Sequence, residues 1–133
     1  MRKVLVLMFY LSVYCFGQVY QSDNLLDAGN STTKSLSANG MFTGVSKDVI
    51  TTGNYGTLTI FVYSDQNSAT GGLRVLWSND NTTWHDSTTY SIVAGTPLKL
   101  TLQPYLKYFK IRYVNGTSPQ TKFVLTTIDQ IYP

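Results

Sequence analysis

Glutamate is absent, cysteine and histidine occur once each, and charged residues make up only 13% of the 133 positions. Each scarcity excludes something. The single thiol, Cys15, rules out an intramolecular disulfide and a cysteine-based zinc site. One imidazole, His85, leaves a single candidate histidine base, and any acid chemistry has to come from seven Asp residues. Charge at half the usual ~25% argues against a helical bundle, a coiled coil and a charged disordered tail. Ten Lys and Arg against the seven Asp give +3, but setting aside Arg2 and Lys3 leaves eight against seven, or +1. No basic stripe remains for a phosphate backbone, so nucleic acid is not an expected partner.

What the chain does have is 43% hydrophobic and 14% aromatic residues, with ten Tyr and abundant Ser and Thr. That composition suits one β-rich domain with a polar, uncharged surface. The clearest local signal is N-terminal. Met1-Arg2-Lys3 is a short basic region followed by the apolar run Val4–Leu11, with small Gly17 before polar Gln18. Residues 1–17 read as a hydrophobic leader: a signal peptide cleaved near Gly17, or a membrane anchor. As an anchor, a helix of about 16 residues would span roughly 24 Å, short of the ~30 Å bilayer core. A lipoprotein signal through Cys15 is disfavoured, because Tyr14 stands where a small residue is needed. The leader also contains Cys15, so the folded part is expected to lack a thiol.

Residues 18–33 are polar and rich in Asn, Ser and Gly, and read as a linker with a short Leu25-Leu26 contact. From Lys34 alternation takes over, and residues 34–133 read as a β-sandwich. A first strand would turn Leu36, Ala38 and Phe42 inward, bending at Asn39-Gly40, and Lys47–Thr51 would form a second. Thr57–Tyr63 carries the strongest pattern, with Leu58, Ile60 and Val62 inward and Phe61 and Tyr63 outward. Further strands follow at Leu73–Trp77, Trp84–Val93, Leu98–Leu102, Tyr108–Val114 and Lys122–Ile128. Buried faces are expected at Leu73, Val75 and Trp77, and at Phe109, Ile111 and Tyr113. About eight strands with no helical periodicity outside the leader give an all-β fold, an antiparallel sandwich or jelly-roll.

Catalysis is hard to build from these residues. Glycoside hydrolysis needs two facing carboxylates, and no spacing here supplies them. No G-x-S-x-G elbow accompanies His85. His85-Asp86 beside Trp84 reads better as a polar loop next to a packed ring than as a catalytic or metal site. Calcium would need converging oxygens, whereas Asp23, Asp27, Asp65 and Asp80 are scattered. No enzyme, metal or cofactor is expected. Ser78–Trp84 resembles the Asp-box turn of sialidase propellers, one residue shorter and with Thr82 for the glycine. In that family the box is a structural hairpin, which implies that Asp80 accepts turn amides and that Trp84 packs the hairpin. Sequons at Asn30, Asn81 and Asn115 arise readily in an Asn/Thr-rich chain and are discounted.

Aromatics expected at the surface are the better lead. Phe61, Tyr63, Tyr105 and Tyr108, with Trp84 and His85, are the candidate ligand or partner contacts, and Lys107 and Lys110 flank two of them. Large, rigid, amphipathic rings on a β-scaffold suit sugar stacking or protein contact. Covering of both sheet faces by other copies explains the same pattern.

An ordered set of segments then carries a resemblance. It runs through N-S-T-T-x-x-L at Asn30–Leu36, F-T-G at Phe42–Gly44 and D-V-I at Asp48–Ile50. It continues with T-I-F-V-Y-S-D at Thr59–Asp65 and W-S-N-D-N-T-T-W at Trp77–Trp84. The last two are K-Y-F-K-I-R-Y-V-N-G at Lys107–Gly116 and Q-T-K-F-V-L at Gln120–Leu125. From Asn30 to Ile128 the chain resembles a β-sandwich domain of phage and other viral structural proteins, as in tail fibres, spikes and capsid-associated proteins. The resemblance implies a non-enzymatic virion-surface module for assembly or host attachment. Its implied partners are other copies of itself, other virion proteins and a host glycan or protein, with a membrane contact through residues 1–17. The alternative is a secreted bacterial carbohydrate-binding module or adhesin at the cell surface.

Overall fold

The computed structural model describes residues 23–49, 56–104 and 106–131. The leader and Tyr105 lie outside them. Among the described residues nine strands form: β1 (Asp23–Leu26), β2 (Met41–Thr43), β3 (Lys47–Asp48), β4 (Thr57–Ser64), β5 (Ser68–Ser78), β6 (His85–Tyr90), β7 (Leu98–Leu102), β8 (Tyr108–Asn115) and β9 (Phe123–Ile131). All pairings are antiparallel. One sheet runs β1-β9-β4-β7; the other runs β2-β8-β5-β6, with β3 also on β8. Taking β2 and β3 as one interrupted strand, the chain pairs first with last, second with second-last, and so inward to β5 and β6. That nested pairing, wrapped into two sheets, is a jelly-roll.

The core lies where the alternation places it. Leu58, Ile60 and Val62 from β4 meet Leu73, Val75 and Trp77 from β5, and Phe109, Ile111 and Tyr113 from β8, all buried. Trp77 and Phe109 are opposite one another in register, with ring centroids 5.7 Å apart, and Tyr113 meets Phe123 of β9 at 4.5 Å. Each such side chain contributes roughly 1.5–3 kcal/mol by leaving water. The buried Tyr113 hydroxyl accepts from Gln120 Nε2, which also donates to Ser64 Oγ, so these three inward polar groups satisfy one another.

The chain departs from the alternation in several places. Asp23–Leu26, inside the stretch read as a linker, pairs with Ile128–Ile131 as strand β1. Residues 35–39 are not a strand and Ala38 is exposed, although Leu36 and Phe42 do pack on the core. The cause is the turn at Asn39, whose φ of +56° breaks the extended run. Strand β5 starts five residues earlier than Leu73, and its register shifts between Ser68 and Leu73. Gly71, at φ +59°, permits that irregularity. Strand β6 ends at Tyr90, yet Ile92 beyond it is still buried.

A polar clasp joins the two sheets. Between β2 and β3 three residues fall outside the strands, with only Gly44 N–H among them shown bonded to β8, at Ile111 C=O, and the side chain of Asn30 fills the gap. Its Oδ1 accepts from Ile111 N–H at 2.8 Å, and its Nδ2 donates to Val45 C=O and to Asp27 Oδ2. Asn30 C=O accepts from Thr127 Oγ1 on the other sheet, and Asp27 N–H donates to Thr127 C=O. Gly44 is required beside it, because a Cβ there would lie 2.0 Å from Asn30 Oδ1.

Candidate functional site

Outward-facing residues of the five-stranded sheet form the most chemically loaded surface. Along β8, Phe109, Ile111 and Tyr113 point inward, so Tyr108, Lys110 and Arg112 share the outer face. Register sets Leu76 and Arg74 of β5 beside Lys110 and Arg112, and Asp86 and Thr89 of β6 beyond them. Trp84, just before β6, stands under Lys110, whose Nζ is 4.0 Å from the ring centroid. Lys107 Nζ lies 5.1 Å from the Tyr108 centroid and 3.7 Å from Asp48. The Tyr108 oxygen first, and Asp48 after it, hold this ammonium above its usual range. Leu76 is only 7% exposed despite facing outward, because long neighbours in register shield it.

Arg74 and Arg112 are direct cross-strand neighbours. Arg74 is met by Asp86, with Nη1 to Oδ2 at 3.1 Å, and its Nε donates to Gly71 C=O. Arg112 Nε donates to the soft sulfur of Met41 at 3.1 Å. Among the described residues neither Arg112 nor Lys110 forms an ion pair.

Six contacts were expected from sequence, and the structure separates them. Trp84 and Tyr108 share the face just described. Phe61 and Tyr63 lie on the opposite outer face of the sandwich, in β4, where Phe61 is 38% exposed and sits between Thr126 and Lys99 in register. His85 is exposed and opposite Trp77, in the inward phase of the sheet edge, whereas Asp86 is turned to Arg74. Adjacent strand residues point to opposite faces, so His85 and Asp86 do not form one site. Tyr105 lies outside the described residues.

At Asp80 the turn Ser78–Trp84 is built as the Asp-box likeness implies, whereas the partner shown for the Trp84 ring is Lys110 of β8. Asp80 accepts from the amides of Thr82 and Thr83 and from Thr83 Oγ1, while Ser78 Oγ donates to it and accepts from Asn81 N–H. Thr83, then Thr82 and Ser78, hold the Asp80 carboxyl far below the usual carboxylate range. Of the three sequons, Asn30 and Asn115 are fully buried and bonded to backbone, so a folded domain offers neither for modification.

A second feature was not anticipated. At one end of the sandwich a cleft of about 230 Å³ opens between the sheets, lined by Leu25, Val49, Leu58 and Pro104 with Lys47 and Asp129. Lys47 Nζ donates to Asp129 and lies 3.9 Å from Asp27. Burial raises the Asp129 carboxyl, against the pull of Lys47. The signal was present in β9, where Phe123, Leu125 and Thr127 set an inward phase that Asp129 continues. Among the described residues no three His, Cys or Asp side chains gather as metal ligands would.

Among solved structures, the PBSX exported protein XepA has the same fold, with a TM-score of 0.69 at 20% identity over 82% of this chain. The chain spans 37% of XepA. PirA matches with a TM-score of 0.49 at 13% identity, over 76% of this chain and 93% of its own. A subunit of the Bacillus endospore appendages, a family of disulfide-linked pili, matches with a TM-score of 0.48 at 11% identity, over 85% and 92%. No curated protein matches the chain. Residues 17–130 match the family described as the uncharacterised protein YqxG N-terminal domain, and the chain belongs to that family.

Proposed function

We propose that this chain is a non-enzymatic structural module of an exported, virus-derived particle, serving assembly or attachment through its outer sheet faces. The observation that carries the reading is the clasp. Asn30, Gly44 and Ile111 come from three of the ordered segments that resemble virion sandwich domains, and they meet at one point. Three of the seven segments therefore answer to one physical joint, so the likeness in their order rests on residues that this fold needs together. The common fold with XepA, an exported protein, supports export. Self-association fits the outer faces, where Leu26, Phe61 and Met41 are exposed.

A secreted carbohydrate-binding module is the second reading, favoured by Trp84 and Tyr108 lying together on one basic face. The two readings separate by intact mass of the native protein from purified particles and from culture supernatant. Protein in the particle fraction supports the structural module. Protein found only in supernatant, beginning near Gln18, removes it and leaves the secreted module.

A further inference from the structure

We propose that the outer face of the five-stranded sheet binds an acidic polysaccharide, with Lys110 and Arg112 on its anionic groups and Trp84 and Tyr108 against its sugar rings. The inference names the ligand class for the surface contact in the proposed function and rests on that part of it.

One charge arrangement on this face does not help the fold. Arg74 and Arg112 are directly opposite one another on neighbouring strands, and like charges in that position weaken a sheet. Asp86 answers Arg74. Nothing of opposite charge among the described residues answers Arg112, nor Lys110 two positions away on the same strand and face. Arg74, Lys110 and Arg112 together thus meet one carboxylate among the described residues. An external anion at Arg112 would remove the repulsion that the sheet carries unliganded, which is the charge complementarity a binding face needs.

Geometry then selects the kind of anion. Lys110 and Arg112 are separated by two residues of strand, so their backbones stand about 7 Å apart along one line. A guanidinium fork suits carboxylate recognition, and the ammonium next to it is a compact point charge. The two aromatic residues lie at the Lys110 end, with Lys110 itself over Trp84. Flat rings beside spaced cations match a chain of pyranoses that presents apolar C–H faces and carboxylates in alternation. A duplex nucleic acid needs a longer uninterrupted basic track, and this one is broken by Asp86 and, beside Lys107, by Asp48.

The test uses the full chain and titrates polygalacturonate, a neutral galactan, inorganic polyphosphate and duplex DNA by calorimetry. Binding to polygalacturonate, weakened by added salt and absent with the galactan, is expected. The double variant Lys110→Gln/Arg112→Gln should lose roughly tenfold for each contact removed, and Trp84→Ala should weaken it further. Arg112→Gln alone should melt no lower than the wild type, because the opposed guanidinium has gone, and this separates lost binding from lost structure. Three results overturn the proposal: no binding to polygalacturonate, binding that the double variant leaves unchanged, or equal affinity for DNA and polyphosphate. Protein missing from particles that still binds polygalacturonate removes the particle reading alone. Particle-borne protein that ignores the polymer removes this inference alone.

Discussion

Asn30 is a short polar side chain wholly enclosed in a β-sandwich, and such a group is tolerated only when every polar atom has a partner. Here it serves as a detached piece of strand, offering the backbone of β8 the acceptor that the gap between β2 and β3 withdraws. Asn30→Ala leaves Ile111 N–H buried and bare and takes a buried donor from Asp27, and should cost about 2–4 kcal/mol in urea unfolding. Gly44→Ala should cost a similar amount through overlap with the same amide. The double variant should then cost clearly less than the two losses added, because the alanine at 30 removes what the alanine at 44 strikes. Strict additivity would show that the two positions do not share one contact. Asp80 makes a separate prediction. Its folded pKa lies below its unfolded value, so its stabilisation is present above the unfolded pKa of ~3.9 and is lost as pH falls through the folded one. Asp80→Asn should flatten the acid limb of the melting profile below pH ~4 while keeping the turn's shape, and an unchanged limb would remove Asp80 from the account of acid stability.

Strand β9 shows what a whole element adds to its residues. Its inward row includes Asp129, which faces Lys47 across the mouth of the sandwich. Burial holds that carboxyl's folded pKa above its unfolded value, so the fold keeps the proton longer than the open chain does. The charged form therefore burdens the fold increasingly as pH rises from about 4 through the folded pKa. Asp129→Asn should raise the melting temperature at pH 7 and leave it unchanged near pH 3. A lower value at pH 7 would mean that the Lys47 pair outweighs burial. The same strand marks the reach of sequence reasoning. Period-two alternation named the inward faces of β4, β5 and β8 and placed β9 without its inward face, because hydrophobic burial on one face writes itself into every second residue. It gave no sign of β1, an edge strand of four residues whose Leu25 and Leu26 are half exposed or more and leave no alternation. It also could not pair Trp84 with Lys110, or set Arg74 against Arg112, because those contacts depend on register between strands far apart in the chain. The aromatic residues were legible one at a time, but their division between two opposite faces was not.

The integrity of the whole sandwich depends on where its folding unit begins. Composition puts the boundary at Lys34, after a polar linker. The hydrogen bonds that fasten the two sheets together begin at Asp27, which supports an earlier boundary there. Strand β1 adds four residues to a sheet edge and buries little, so losing it should cost little. The next six residues do far more. Thr32 exchanges both backbone hydrogen bonds with Leu125, Ser31 Oγ accepts from Thr127 N–H, and Asn30 accepts from Ile111 N–H. Removing them leaves three strand amides without partners, at about 1–3 kcal/mol each, and unfastens one sheet from the other. That sum is comparable with the whole stability of a domain this size, about 5–15 kcal/mol. A chain starting at Asp27 should therefore melt cooperatively within a few degrees of one starting at Gln18, whereas a chain starting at Lys34 should show no cooperative transition. Circular dichroism melts of the three chains decide the matter. If the chain from Lys34 melts like the others, the segment Asp27–Thr33 is a true linker and the clasp at Asn30 is not what holds the two sheets together.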